Sequence, residues 1–382
     1  MIFFRADGNS QVGAGHVMRC LSIADAFVHA GEDVIFYTAG NELSSLIESR
    51  GIKNIVINSD FMKMESELVF LKGEIEEEKP DAIFVDSYFV TSQYLKSLQS
   101  YCHSVGGKLV YMDDVLKFAY PCDYLINYNV YAPDCREKYL KLYYGEGGIA
   151  STGVANLDLE EPGNLDLRGA TTGDVAKPEL LLGPEYLPIR KEFRGLPNRV
   201  MNESVSDILI STGGADFEHL ALGIVKSLVD GVVIVPDGVR VHLLVGAMNT
   251  DKDEIERLAS SNDVLQIEYN VKDMVALMQN CDIAVSAAGS TLYELIATQT
   301  PTITYVLADN QILGAEAFST RDLMDYVGDI RALGEAGLIS EIFERVNQYI
   351  ADASLRADKI ASMGEFPTDG AERIVKEILG WH

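Results

Sequence analysis

Residues 1–5, Met-Ile-Phe-Phe-Arg, form a short apolar and aromatic run that gives way to a glycine turn, Gly13-Ala14-Gly15. Beyond the turn, apolar residues Val17, Cys20, Leu21, Ala24 and Val28 recur at intervals of three and four, and Gly31 stands where a helix would end in a C′ cap. Strand, glycine turn and amphipathic helix in that order make the first half of a βαβ unit. From Asp207 the order begins again, with a strand over 207–211, the turn Gly213-Gly214 and a helix from about residue 218. A chain of 382 residues is long for one core. We therefore expect an α/β protein with two domains of parallel sheet and a cleft between them, where loops leaving the strands carry the ligand residues.

The pattern predicts further strands over 33–38, 54–57, 82–86, 108–112 and 124–127 in the first half. In the second it predicts strands over 241–245, 264–267, 283–286 and 302–305, with helices over 251–260, 273–279 and from 290. The first domain is expected over 1–198 and the second over 199–382, the last helix being a candidate to pack back on the first domain. Residues 144–177 are rich in Gly, Thr, Asp and Asn and lack periodicity. So long an unstructured connection is a mobile lid, an insertion with its own hairpin or a disordered segment.

A net charge of −27 argues against binding nucleic acid or an anionic membrane, since both would be repelled. It leaves room for a small phosphorylated ligand, which needs only local backbone N–H donors. No apolar run is long enough to span a membrane, and Arg5 and Asp7 interrupt the one at the N-terminus, so a cytoplasmic location is expected. The five cysteines are odd in number and lack C-x-x-C spacing, which suits reduced core thiols.

Two constellations carry the chemistry. In the first, Arg5, Asp7, Gly13, Gly15, His16 and Arg19 surround the first strand-to-helix turn. An unperturbed imidazole, with a pKa of ~6.5, is mostly neutral at pH 7 and can act as general base on a water, and Asp7 is placed to orient it. The bland alternative is a tight turn with His16 capping a helix. Arg19 breaks the G-x-G-x-x-G fingerprint, and no acidic residue closes the next strand, which argues against a dehydrogenase. In the second, Gly289 turns the chain after a strand, Ser290 and Thr291 lie at a helix start suited to phosphate, and Glu294 follows one turn later, suited to a ribose diol. The alternative there is an N-capped helix with a solvated Glu. Gly213 and Gly214 can approach phosphates or simply turn the chain. Asp86 and Tyr88 end a strand on the same side, and Asn127, Tyr128, Asn129 and Tyr131 either meet sugar groups or finish a strand. Asp113 and Asp114 lack a third ligand at metal spacing and read as structural, and Glu74 to Glu78 read as a solvated helix face.

The string from Arg5 to Arg19, Arg-Ala-Asp-Gly-Asn-Ser-Gln-Val-Gly-Ala-Gly-His-Val-Met-Arg, resembles the opening of UDP-2,4-diacetamido-2,4,6-trideoxy-β-L-altropyranose hydrolases of pseudaminic acid biosynthesis and of related spore-coat polysaccharide proteins. Asp86-Ser87-Tyr88, Asp113-Asp114, 122–127, 186–193, Gly213 to Asp216, 286–294 and Asn310-Gln311 extend the likeness. The second half is also similar to the UDP-N-acetylglucosamine transferase of peptidoglycan synthesis, which has the GT-B architecture of two facing Rossmann-like domains. The resemblance implies that Ser290 and Thr291 meet the diphosphate, Glu294 the ribose and the backbone near Val271 the uracil, while His16 activates water. Catalytic candidates are thus His16, Asp7 and Arg19. Substrate candidates are Arg5, Gly13, Gly15, Asp86, Tyr88, Gly213, Gly214, Val271, Gly289, Ser290, Thr291, Glu294, Asn310 and Gln311. The expected activity is inverting hydrolysis of a UDP-sugar at its anomeric carbon, without cofactor or metal, because UDP leaves as a stable anion held by fixed donors. A glycosyltransferase, or a silent UDP-sugar-binding subunit, uses the same nucleotide features. The stretch 144–177 departs from the family pattern and bears on the identity of the sugar.

Overall fold

In the computed structural model the described residues are 1–9, 11–144, 177–214, 216, 218–246 and 248–381. The chain divides into two compact units, Met1–Lys191 with Asp369–His382, and Glu192–Thr368.

The first unit runs β1 (Ile2–Ala6), α1 (Gly15–His29), β2 (Val34–Thr38), α2 (Ser44–Glu48), β3 (Lys53–Val56), α3 (Leu68–Glu78), β4 (Ala82–Asp86) and α4 (Ser92–Ser104). It continues with β5 (Lys108–Met112), β6 (Tyr124–Asn127), α5 (Arg136–Tyr144) and β7 (Glu179–Leu182). The seven strands are parallel in the order β3-β2-β1-β4-β5-β6-β7. A parallel sheet is covered on both faces, which is why β1 is buried at every residue. Side chains alternate between faces. Ile2, Phe4 and Ala6 join the core beneath α1, where the Phe4 ring stacks between Phe36 and Phe84 at centroid distances of 5.0 and 4.7 Å. Phe3 joins the opposite core with Tyr37, Ile83 and Tyr94.

The helical stripe read from the sequence runs along α1 with one correction: Phe27 is buried and Val28 is 48% exposed. Phe27 wins the core position because its ring packs edge-on to both Phe4 and Phe84. The segment after the sixth strand hides another, β7, which pairs with β6. Residues 145–176 of the atypical stretch lie outside the described residues, as do Ser10 and Ala215 of the motifs.

The second unit runs β8 (Asp207–Ser211), α6 (Leu220–Val229), β9 (Arg240–Leu244), α7 (Lys252–Ala259), β10 (Leu265–Glu268), α8 (Met274–Asn280) and β11 (Ile283–Ala287). Then come α9 (Thr291–Ala297), β12 (Thr302–Val306), α10 (Ile312–Thr320), β13 (Asp325–Asp329), α11 (Ile330–Ala351) and α12 (Ala353–Gly364). Its six parallel strands lie in the order β10-β9-β8-β11-β12-β13. Strand β13, Asp-Tyr-Val-Gly-Asp, escaped the sequence reading because an edge strand needs no buried apolar run. The last helix, α13 (Gly370–Leu379), belongs to the first unit, where Ala371, Ile374, Val375 and Ile378 complete the core beneath α1. All five cysteines are free and buried.

Candidate functional site

The β1–α1 turn is built by Asn9. Its side-chain oxygen accepts from the backbone N–H groups of Gln11 and Val12, and its carbonyl accepts from that of Gly13 at 2.8 Å. Gly13 adopts φ +72°, a conformation that a side chain would strain, and Gly15 opens α1 on an exposed surface. His16 and Arg19 are then three residues apart on one helix face.

Both turn toward the end of β4. In the sheet β4 lies directly beside β1, with Ala6 level with Asp86, so a helix starting just beyond β1 overlooks that carboxylate. Asp86 Oδ1 is 2.6 Å from His16 Nδ1. A carboxylate only accepts, so this contact, shorter than the 3.1 Å approach of Arg19 Nη2 to the same nitrogen, places the proton on Nδ1 and leaves Nε2 as the acceptor, with no protein hydrogen bond to it among the described residues. Arg19 grips the same carboxylate through Nε and Nη2, both at 2.5 Å. Burial by itself would push the Asp86 carboxyl up, but Arg19 and then His16 overcome it and hold the group well below the usual carboxylate range. Arg19 Nη1 donates to Asp114 Oδ2 at 3.0 Å and to the Tyr128 hydroxyl at 3.2 Å. Tyr88 sets its ring edge to face with His16, centroids 4.6 Å apart, and its hydroxyl donates to Asp114 Oδ2 at 3.1 Å. Cys20 lies one turn beyond His16 in the core, its sulfur 3.7 Å from Asp86. Adjacent strands β1, β4, β5 and β6 thus deliver His16, Arg19, Asp86, Tyr88, Asp114 and Tyr128 to one place. It is the point where the strand order reverses, the favoured ligand position in such sheets.

Two expectations are corrected. Asp7 does not orient His16: its Oδ2 accepts from Arg5 Nη1 at 2.5 Å and its Oδ1 from the Ala39 N–H at 2.7 Å. Nor is Arg5 open to a ligand, since its Nε and Nη2 are held by Glu67 at 2.7 and 2.9 Å, and Tyr94 donates to the same carboxylate at 2.7 Å. The reason is strand periodicity. Arg5 follows Phe3 onto the face opposite α1 and draws Asp7 to that side. The orienting carboxylate is Asp86, placed among the substrate residues from sequence alone. Arg19 is likewise a positioning group whose bonds go to Asp86, Asp114 and Tyr128. Asp114, read from the sequence as structural, and Tyr128, read there as either a sugar contact or the end of a strand, both belong to the cluster, and their place just past the ends of neighbouring strands was the available signal.

In the second unit Gly213 and Gly214 follow β8, with Gly213 at φ +93°. The loop after β9 packs on them so tightly that a Cβ at Gly246 would stand 2.1 Å from the Gly214 carbonyl oxygen. Asp216 fixes the far side of the turn by accepting from the N–H groups of Leu220 and Ala221 at the start of α6. Gly289 and Ser290 are exposed after β11, and Ser290 does not spend its hydroxyl in capping α9. Glu294 is half-buried one turn along, while neighbouring Tyr293 packs on Phe318 and Phe366. Val271 is half-buried after β10. Asn310 is exposed after β12, and the side-chain carbonyl of Gln311 accepts from the Leu307 N–H at 2.8 Å, which holds that loop. Strands β8 and β11 flank the reversal of this sheet, so the glycine turn and the Ser290 segment occupy equivalent ligand positions. Among the described residues no three His, Cys, Asp or Glu side chains are grouped to hold a metal ion, and no helix is long and apolar enough to cross a membrane.

Comparison with known proteins accords with this architecture. Residues 207–362 match the glycosyltransferase family 28 C-terminal domain. The UDP-2,4-diacetamido-2,4,6-trideoxy-β-L-altropyranose hydrolase of Campylobacter jejuni is 24% identical over 298 residues, covering 77% of this chain and 87% of that protein. An uncharacterized protein of Methanocaldococcus jannaschii is 24% identical over 317 residues, 80% of this chain, which spans 55% of that longer relative. A glycosyltransferase structure from Rickettsia africae superimposes with a TM-score of 0.59 at 14% identity, covering 100% of this chain and 99% of that one. The chain thus has the GT-B fold and is similar to the UDP-2,4-diacetamido-2,4,6-trideoxy-β-L-altropyranose hydrolases along most of its length and, over residues 207–362, to the glycosyltransferase family 28 C-terminal domain.

Proposed function

We propose that the protein hydrolyses a UDP-sugar to UDP and the free sugar, a 2,4-diacetamido-2,4,6-trideoxyhexose of L-altro configuration. The observation that carries this reading is the His16–Asp86 pair, with Nδ1 committed to the carboxylate and Nε2 left without a protein partner among the described residues. Nε2 accepts a proton from water as the water oxygen bonds to the anomeric carbon. The bond from that carbon to the diphosphate oxygen breaks, its electron pair leaves with UDP, and the configuration inverts. Asp86, kept ionised by Arg19, stabilises the imidazolium until the proton passes to solvent. The charges fit a division of labour. The His16 cluster holds one guanidinium against two carboxylates, a poor seat for a diphosphate and a good one for a neutral sugar. The second unit presents glycine turns and the hydroxyls of Ser290 and Thr291 for the diphosphate, with Glu294 for the ribose.

The domain match over 207–362 favours one rival, a glycosyltransferase in which the same base takes a proton from an acceptor hydroxyl. Purified protein incubated with UDP-sugars in water alone separates the two. Release of UDP and free sugar supports the hydrolase, and release only on adding an acceptor supports the transferase. His16→Asn should lower turnover ~10²- to 10⁴-fold while UDP still binds. Parallel loss of binding and rate would return His16 to a structural role.

A further inference from the structure

We infer that Asp114 selects the sugar, accepting a hydrogen bond from one hydroxyl or acetamido N–H of the substrate through its Oδ1. The inference rests on the UDP-sugar reading above and adds the residue that recognises the sugar. Asp114 follows β5, whose end lies beside that of β4, and two short links tie it to His16. One runs through Arg19, which binds Asp86 and Asp114 together, and the other through Tyr88, whose ring meets the imidazole and whose hydroxyl meets Asp114. Both links end on the same oxygen, Oδ2. Oδ1 has no protein donor among the described residues, and the side chain keeps 18% of its surface open. A carboxylate oxygen can only accept, so its partner is a donor, and the neighbouring Asp86 makes an anionic partner unfavourable. A sugar hydroxyl or amide meets both conditions. Because Arg19 and Tyr88 fix the carboxylate in place, the open oxygen has a set direction and can discriminate between sugars that differ in one donor.

The test is a cycle of variants against ligands. UDP-diacetamido-trideoxyhexose and analogues each lacking one sugar donor are titrated calorimetrically into the parent chain and Asp114→Asn, and turnover is followed in parallel. In Asp114→Asn the two donors, Arg19 Nη1 and Tyr88 Oη, retain the amide oxygen and turn the NH₂ toward the ligand, donor against donor. The parent should discriminate ~10- to 100-fold against one analogue, and the variant should bind that analogue and the full substrate within about threefold of each other. Discrimination against the other analogues and affinity for UDP should be unchanged, which a purely structural defect would not produce. If Asp114→Asn does not fold, Asp114→Ser, which also removes Oδ1, is read in the same way. Discrimination preserved in the folded variant, or lost equally for every analogue, overturns the role of Asp114 even if the parent hydrolyses the substrate. Binding with the predicted ratios but without turnover supports Asp114 and removes the hydrolase reading. Failure of every UDP-sugar to bind removes both.

Discussion

Asp86→Asn tests whether the strand-end carboxylate, and not the imidazole alone, makes the base. The substitution preserves size but cannot satisfy both partners. With the amide oxygen at the Oδ1 position, it still accepts from His16 Nδ1–H and Arg19 Nη2, but the NH₂ opposes Arg19 Nε. With the oxygen at the Oδ2 position, it accepts from Arg19 Nε, while the NH₂ opposes Arg19 Nη2 and donates to Nδ1, and the proton shifts to Nε2, where the base is needed. Either way the negative charge that stabilises the imidazolium is gone. The same change in a comparable dyad costs about 10⁴-fold in kcat, and a similar loss is expected here. Removing one partner of a buried ion pair costs about 3–5 kcal/mol, and retention of Asp114 and Tyr128 by Arg19 favours the lower end, about 3 kcal/mol. A melting temperature lowered by roughly 6–12 °C follows. Turnover should be measured by UDP release well below the melting point of the variant, with UDP affinity as the control. A folded variant with turnover within tenfold of the parent would refute the dyad.

Glu294→Ala should weaken UDP by about 1–3 kcal/mol in a calorimetric titration and bind deoxyuridine diphosphate as the parent does. Unchanged UDP affinity would remove the ribose assignment. In heavy-oxygen water with a chelator present, the label should appear in the released sugar and not in UDP. Labelled UDP, or activity restored only by magnesium, would indicate metal-assisted attack at phosphorus. Because the Asp86 carboxyl lies below its unfolded value of ~3.9, its contribution is present at neutral pH and is lost as pH falls below about 4 toward the folded value. Thermal melts should therefore show the parent losing stability below that pH more steeply than Asp86→Asn, and equal slopes would contradict the direction of the shift.

Much of the architecture was legible along the chain because parallel sheets leave a local record. Phe3 and Phe4 had to be buried on opposite faces, the spacing of Val17, Cys20, Leu21 and Ala24 had to cover one of them, and Gly13 had to turn the chain before a helix bearing His16. Where the pattern was weak, as at Glu179–Leu182 and Asp325–Asp329, the strands were missed, because their place comes from a neighbour already in the sheet. The composition of the site is non-local in the same sense. Sequence proximity favoured Asp7 as the partner of His16, nine residues away, while the actual partner stands 70 residues along. Only the strand order sets β4 beside β1 and brings Asp86 beneath the helix, and only the alternation of side chains carries Arg5 and Asp7 to the opposite face. The sequence alone determined that an imidazole would stand at a glycine turn. The tertiary structure decided which carboxylate orients it, because a hydrogen bond depends on distance in space and the sheet places strands side by side in an order that the chain does not follow.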